Sequence, residues 1–325
     1  MTPSGRSVHA QALLMLVLAT FLWGLSFPLV KALALAHRQV LPASGTWFIT
    51  AGSIAPRFLL GTLVLLLVLG RQLRTFTRLE LRQGVLIGLT LGAGMLFQND
   101  GLQFTSASTS AFLTQIYAVM IPVWIAWRQR RWPPAAVLAC CALVLPGVAI
   151  LGRFDFRTLH LGRGEVETLV SAVFFMMQIF LLERREFAAN RALPVTLVMF
   201  ATQALLFTGM ALGTAPAPAD VLVPWTSGVW LGLTVLLTLF STLGAFTLMI
   251  KWQPRISATE AGLIYCVEPV FTAVLVLFLP AWFSAWGGFD YANEQITWHL
   301  LVGGGLITAA NVLILVRPPA RPAAG

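Results

Sequence analysis

SATEAGLIYCVEPVF, residues 257–271, is the stretch on which the reading of this chain turns. A glutamate, Glu268, stands inside an apolar run, and Pro269 follows it directly. In a helix that begins at Ser257 the carboxylate lies about 16 Å deep at 1.5 Å per residue, close to the middle of a bilayer. An ionised group there costs at least ~3 kcal/mol unless it is paired or wetted. Pro269 has no N–H to donate and crowds the preceding turn, so carbonyls near Tyr265 lose their helix partners. A charge and a broken backbone at one depth suit the wall of a cavity, not a lipid face. Glu268 is therefore a candidate for substrate contact or for carrying a coupling proton. The alternative is a hydrogen bond that anchors a neighbouring helix.

The composition agrees with a bilayer as solvent. Of 325 residues, 58% are hydrophobic and 10% charged, against about 45–50% apolar and about 25% charged in soluble domains. Apolar runs between polar or Pro/Gly breaks predict ten spanning helices, at 10–35, 47–69, 83–103, 106–127, 134–152, 164–183, 193–213, 228–251, 257–280 and 296–316. The first run is too long for the ~7–15 residue core of a signal peptide and is read as a span. Residues 214–227 form a Pro-rich loop and 281–295 an aromatic, polar one. Cys140, Cys141 and Cys266 all lie in apolar runs, which implies neither a disulfide framework nor a metal site.

The net charge of +9 comes from arginines spaced between apolar runs, not from a basic face or arm, so it reads as membrane orientation and not as nucleic-acid binding. With the N-terminus cytoplasmic, Arg6, Arg71, Arg74, Arg78, Arg82, Arg128, Arg130, Arg131, Arg184, Arg185, Arg191, Lys251, Arg255, Arg317 and Arg321 fall inside. Lys31, Arg38, Arg153, Arg157 and Arg163 fall outside. The excess predicts both termini in the cytoplasm of a bacterial inner membrane.

An earlier stretch, SASTSAFLTQIYAVM at 106–120, aligns with 257–271 at an offset of 151 residues. Ser106, Ala107 and Val119 meet Ser257, Ala258 and Val270, with near matches between. Each copy follows a tight turn and opens an apolar helix. The chain thus reads as two five-helix halves, 1–155 and 156–325. Five is odd, so the second half enters the membrane inverted, as in secondary transporters with a site at mid-membrane between the repeats. The expected fold is all-α integral membrane, ten transmembrane helices as two inverted five-helix repeats.

Further residues join Glu268 as candidates. Arg57 lies about 21 Å from the end of the second span. It could pair with Glu268 or grip a substrate carboxylate bidentately, or snorkel outward if the helix starts later. Gln98 and Asn99 on the third span, Gln115 and Tyr117 on the fourth, Gln178 on the sixth, Gln203 on the seventh and Tyr265 on the ninth are intramembrane polar groups. Singly each can be interhelical glue; as a set over both halves they predict a polar cavity. Asp100 is placed at the interface. Ser257 with Glu260 fits a capping box. Gly84, Gly88 and Gly92 make a close-packing face, and Gly303, Gly304 and Gly305 another. Trp23 and Phe27 gate a ligand or simply pack. The four histidines form no zinc pair, no phosphate-cradling loop precedes a helix, and no catalytic signature or cofactor site is read.

These residues also carry a resemblance. The stretches FTSASTSAFLT at 104–114, ISATEAGLIYCVEPVF at 256–271, LWGLSF at 22–27 and RFLL at 57–60 resemble the fourth, ninth, first and second helices of EamA-type members of the drug/metabolite transporter superfamily. The resemblance implies ten helices in inverted repeats around a central cavity, and solute transport without ATP, often export of amino acids or related metabolites. It makes Glu268 the family's ninth-helix glutamate and Arg57 its second-helix arginine, in roles as compatible with structure as with binding. The chain departs from the pattern at 127–130 (WRQR) and 279–282 (LPAW), where many relatives carry Gly-Glu, and at Ala118, where relatives often carry proline.

The expected function is a secondary transporter, an exporter of amino-acid-like or amphipathic metabolites, with a small-molecule substrate and the lipid bilayer as its partners. A nucleotide-sugar or drug carrier of the same fold, or a membrane-embedded lipid-modifying enzyme, are the alternatives. An enzyme would need clustered acid–base or metal residues at one interface.

Overall fold

The structure is a computed structural model that describes residues 3–105, 107–151 and 162–315. Ser106, Arg153, Arg157, Arg317 and Arg321 lie outside the described residues. Among the described residues there are helices and turns and no strand. In order these are α1 (Pro3–Gly24), α2 (Ser26–Val40), α3 (Thr46–Leu69), α4 (Arg78–Gly101), α5 (Ala107–Thr114), α6 (Tyr117–Gln129), α7 (Ala135–Leu151) and α8 (Arg163–Glu183). Then follow α9 (Ala192–Thr214), α10 (Gly228–Leu236), a π-helical stretch (Leu237–Gly244), α11 (Ala245–Trp252), α12 (Ala258–Tyr265), α13 (Glu268–Leu275), α14 (Leu279–Gly287) and α15 (Trp298–Leu315).

Six helical stretches among the described residues are long and apolar enough to cross a membrane: Val8–Val40, Thr46–Leu69, Arg163–Glu183, Ala192–Thr214, Gly228–Arg255 and Ala258–Leu275. The other four expected spans are helical too, with reasons for falling short. α4 carries Arg78, Glu80, Arg82 and Asp100. The 106–127 run is divided between α5 and α6, and of α7 and α15 the stretches Ala135–Ile150 and Leu301–Ala310 are apolar helix among the residues whose side chains are described.

Three long helices are interrupted. α1 gives way to α2 at Leu25, because Pro28 cannot donate to the Gly24 carbonyl. The freed carbonyls are taken from far along the chain: Ser241 Oγ donates to Leu22 O at 2.9 Å and Thr272 Oγ1 to Gly24 O at 3.3 Å. The approach requires glycine, since a Cβ on Gly24 would lie 2.8 Å from Phe271 Cβ. α12 and α13 part at Cys266 and Val267, where Pro269 starts the second piece. α5 and α6 part at Gln115 and Ile116 with no proline at the break.

One expected loop is a helix. Residues 281–295 were expected to be a loop after a span reaching 280, but α13 ends at Leu275 and α14 occupies Leu279–Gly287. Pro280 is well suited to a first helical turn, and Gly288, at φ 68°, supplies the left-handed stop.

The glycine face on α4 packs as expected. A Cβ on Gly84 or Gly88 would press into Val198 or Thr202 of α9. Gly147 on α7 meets the Gly303 backbone of α15, but nothing lies within 4 Å of a Cβ on Gly305, so that triplet is not a continuous face. α3 packs on α9, α4 on α8 and α9, α1 on α11, α12 and α13, and α7 on α15. Outward-facing Leu67 is 84% exposed, the pattern of a surface meant for acyl chains.

Candidate functional site

The interruptions meet around one cavity of about 80 Å³. Its wall includes Arg57, Gln98, Asn99, Gln178, Tyr265 and Glu268, together with Trp23, Phe175, Phe246 and Met95. Six of the seven sequence-predicted site residues thus share one space. The seventh, Gln115, stands behind the wall: its Nε2 donates to Glu268 Oε2 at 3.1 Å.

Local structure explains each position. Glu268 opens α13, so its carboxylate sits at the positive end of that short helix as well as beside the Gln115 amide. Gln115 reaches it from the break between α5 and α6. Arg57 projects from the middle of α3 and is 3% exposed, which rules out snorkelling. Pairing with Glu268 is also absent, since Arg57 makes no ion pair among the described residues. Its Nη2 reaches only Met95 Sδ at 3.6 Å, its plane lies against the Phe58 ring, and its Nε has no hydrogen-bond partner. A buried cation without an anion is costly. An acceptor brought by a solute or by water would relieve it.

The remaining polar groups divide. Gln98 Nε2 donates to Thr114 Oγ1 at 3.0 Å and Gln178 Nε2 to Met249 Sδ at 3.0 Å. The Asn99 amide nitrogen and the Trp23 indole nitrogen are buried with no protein partner. Tyr265 turns its hydroxyl away to Gln253 Oε1 at 2.8 Å, while its ring packs edge-on against Trp23 at 5.3 Å. Trp23 therefore belongs to the cavity, whereas Phe27 is buried in a separate apolar cluster. Gln203 is buried on α9 beside Gly92 and outside the cavity wall.

One placement corrects the sequence reading. Asp100 is not at the interface: it is fully buried and accepts from Arg163 Nη2 and, at 3.3 Å, from Thr50 Oγ1. Sequence reasoning also missed Ser26, Thr114, Ser241 and Phe246 as wall residues. Single hydroxyls and rings in apolar runs carry no signal of their own. The capping box at Ser257 and Glu260 forms as expected, and Glu260 also meets His9 Nε2 at 3.2 Å. Among the described residues no group of three His, Cys, Asp or Glu could hold a metal ion.

A protein of Archaeoglobus fulgidus that carries the name "Uncharacterized transporter" is 22% identical over 262 residues, 79% of this chain and 74% of that one. The described residues form an all-helical, multi-pass membrane protein. No family model matches it. A solved structure, named only "Crystal structure of protein", superimposes over 94% of this chain and 98% of its own with a TM-score of 0.64 at 18% identity, a likeness of fold alone.

Proposed function

We propose that this chain is a secondary transporter of EamA type, in which two inverted five-helix halves, 1–155 and 156–325, move a small metabolite by alternating access. One observation carries the reading: a buried guanidinium and a buried carboxylate share a single aromatic-walled cavity, yet each leaves the other unpaired. A solute bearing a carboxylate would take the Arg57 fork bidentately. An ammonium or hydroxyl on the same solute would donate to Glu268, and its apolar part would rest on Trp23 and Phe246. Amino acids and related amphipathic compounds have this chemistry, and export from a bacterial inner membrane with both termini cytoplasmic fits the arginine bias. Gln98, Asn99, Gln178 and Tyr265 complete the lining, Gln115 orients the carboxylate, and Glu268 is the group that would carry a coupling proton.

The name of the archaeal relative supports transport in general. The inverted halves are supported by the two helix breaks, at Gln115–Ile116 and Cys266–Val267, which keep the 151-residue offset. The packing of α3 on α9, α4 on α8, α1 on α11 and α7 on α15 adds to this, since each contact joins one half to the other.

Flux of a metabolite panel into proteoliposomes tests the reading. Glu268→Gln and Arg57→Gln are each expected to lower flux of the transported solute by about tenfold or more, the weight of one charge-assisted hydrogen bond. Wild-type flux in both variants, in protein that inserts and folds, would end the assignment.

A further inference from the structure

The central cavity adjoins a second one. A second cavity, lined by Lys31, Arg38, Thr50 and Gln103 among others, shares Val30 and Asn99 with the first and reaches the exposed Arg38 side chain. This is the mouth. A cleft lined by Gln83, Glu183, Arg191, Lys251 and Arg255 shares no residue with the central cavity. Helix α4 fixes their relation: it gives Gln83 to the cleft, Met95 to the cavity and Asn99 to both cavity and mouth. Gln83 and Asn99 are ~24 Å apart along the helix axis, so cleft and mouth are at opposite ends.

Between cavity and cleft runs a short chain of buried hydrogen bonds. Tyr265 Oη donates to Gln253 Oε1 at 2.8 Å, and Gln253 Nε2 donates to the Ile179 carbonyl at 3.1 Å. Gln253 is 2% exposed, Tyr265 3% and Ile179 2%. Gln253 lies in the single turn Gln253–Arg255 that joins α11 to α12, so this amide ties that turn to α8 and to α12 at two residues that both line the cavity. Gln103 lies in the corresponding turn after α4, one place out of the 151-residue register, and is bonded differently. Its Nε2 donates to Thr46 O at 3.1 Å and Thr50 Oγ1 at 3.0 Å, and its Oε1 accepts from Arg38 at 3.3 Å, which holds it in the wall of the open mouth. One residue type at two related turns thus bridges the shut end and is drawn aside at the open end.

We infer that Gln253 is the latch of the closed end, a positioning residue whose release from Tyr265 and Ile179 opens the cavity toward the cleft while the mouth closes. The inference rests on the transport reading above and adds to it which end is shut and by what. Because Tyr265 also lines the cavity beside Trp23, a solute that shifts the ring acts directly on the latch.

Hydrogen–deuterium exchange of the full chain in phosphatidylcholine nanodiscs tests it without a known substrate. In Gln253→Leu, amides of 249–257 and 176–182 are expected to exchange about fivefold faster, the shift that one lost buried hydrogen bond permits. Amides of 99–105 are expected to exchange more slowly, because the mouth closes as the far end opens. Tyr265→Phe, which removes only the hydroxyl, should give the same pair of changes and serves if the leucine variant does not fold. Faster exchange at the far end with an unchanged mouth is mere local loosening and overturns the latch, as does no change at either end. Reciprocal exchange in a protein without flux would leave the latch standing and remove the transport reading. Wild-type flux with wild-type exchange in Gln253→Leu would do the reverse.

Discussion

Glu268 depends on Gln115, and Arg57 on almost nothing. The Gln115 amide is the hydrogen-bond donor to Glu268, and its own Oε1 is buried without a partner. Gln115→Leu should therefore destabilise the purified protein by about 1.5–3 kcal/mol, the worth of a hydrogen bond to a charged group. Replacing both partners with leucine should recover most of that loss, because no buried charge is left behind. Thermal unfolding of the two single variants and the double variant checks this, and a double variant no more stable than Gln115→Leu alone would refute it. Glu268 and Arg57 were legible in the sequence because a charge deep in an apolar run is rare and expensive. Ser241 and Thr272 were not. Hydroxyls in helices usually bond their own preceding turn, as Thr20, Thr62 and Thr90 do here, and only the packed fold turns these two toward α1. Asp100 was misjudged for a similar reason: Arg163, 63 residues away, folds over it.

At the scale of elements, the readable breaks were those with a proline. Pro269 announced the gap between α12 and α13, and Pro28 stands just after the gap at Leu25. The gap at Gln115 and Ile116 has no such mark, so the fourth span was drawn as one helix. α14 went unseen although Pro280 and Gly288 are start and stop signals, because aromatic and polar composition was weighed ahead of them. The glycine stripe on α4 was legible from its spacing, and its partner helix was not. Gly88→Ala should lower stability by about 1–3 kcal/mol, since its Cβ would meet Thr202 Cβ at 2.8 Å. Gly305→Ala, with nothing within 4 Å, should be neutral or gain up to about 1 kcal/mol from helix propensity. Equal effects of the two in thermal unfolding would contradict the packing described here.

Across the whole molecule, the two proposed halves rest on a single offset of 151 residues, whereas the contacts between them are hidden by sequence distance. Arg191, just ahead of α9, shows how tightly they are joined. Its Nε and Nη2 reach the two oxygens of Glu80 at 2.7 and 2.9 Å, and its backbone N–H adds a third bond at 3.2 Å. Glu80 is 1% exposed and also caps α4 through Thr77. Arg191→Met leaves the Glu80 carboxylate without its cation and should lower stability. A fall in melting temperature of the solubilised protein is the expected readout, and an unchanged one would mean that Glu80 is hydrated despite its burial.

The hydroxyls that reach back to Leu22 and Gly24 bear on biogenesis. They lie 219 and 248 residues further along the chain. When α1 leaves the ribosome, the final partners of these two carbonyls have therefore not yet been translated. Until they arrive, that stretch has to stay near water, a chaperoning insertase or the translocon wall, and its settled tilt in the bilayer is a late event of synthesis.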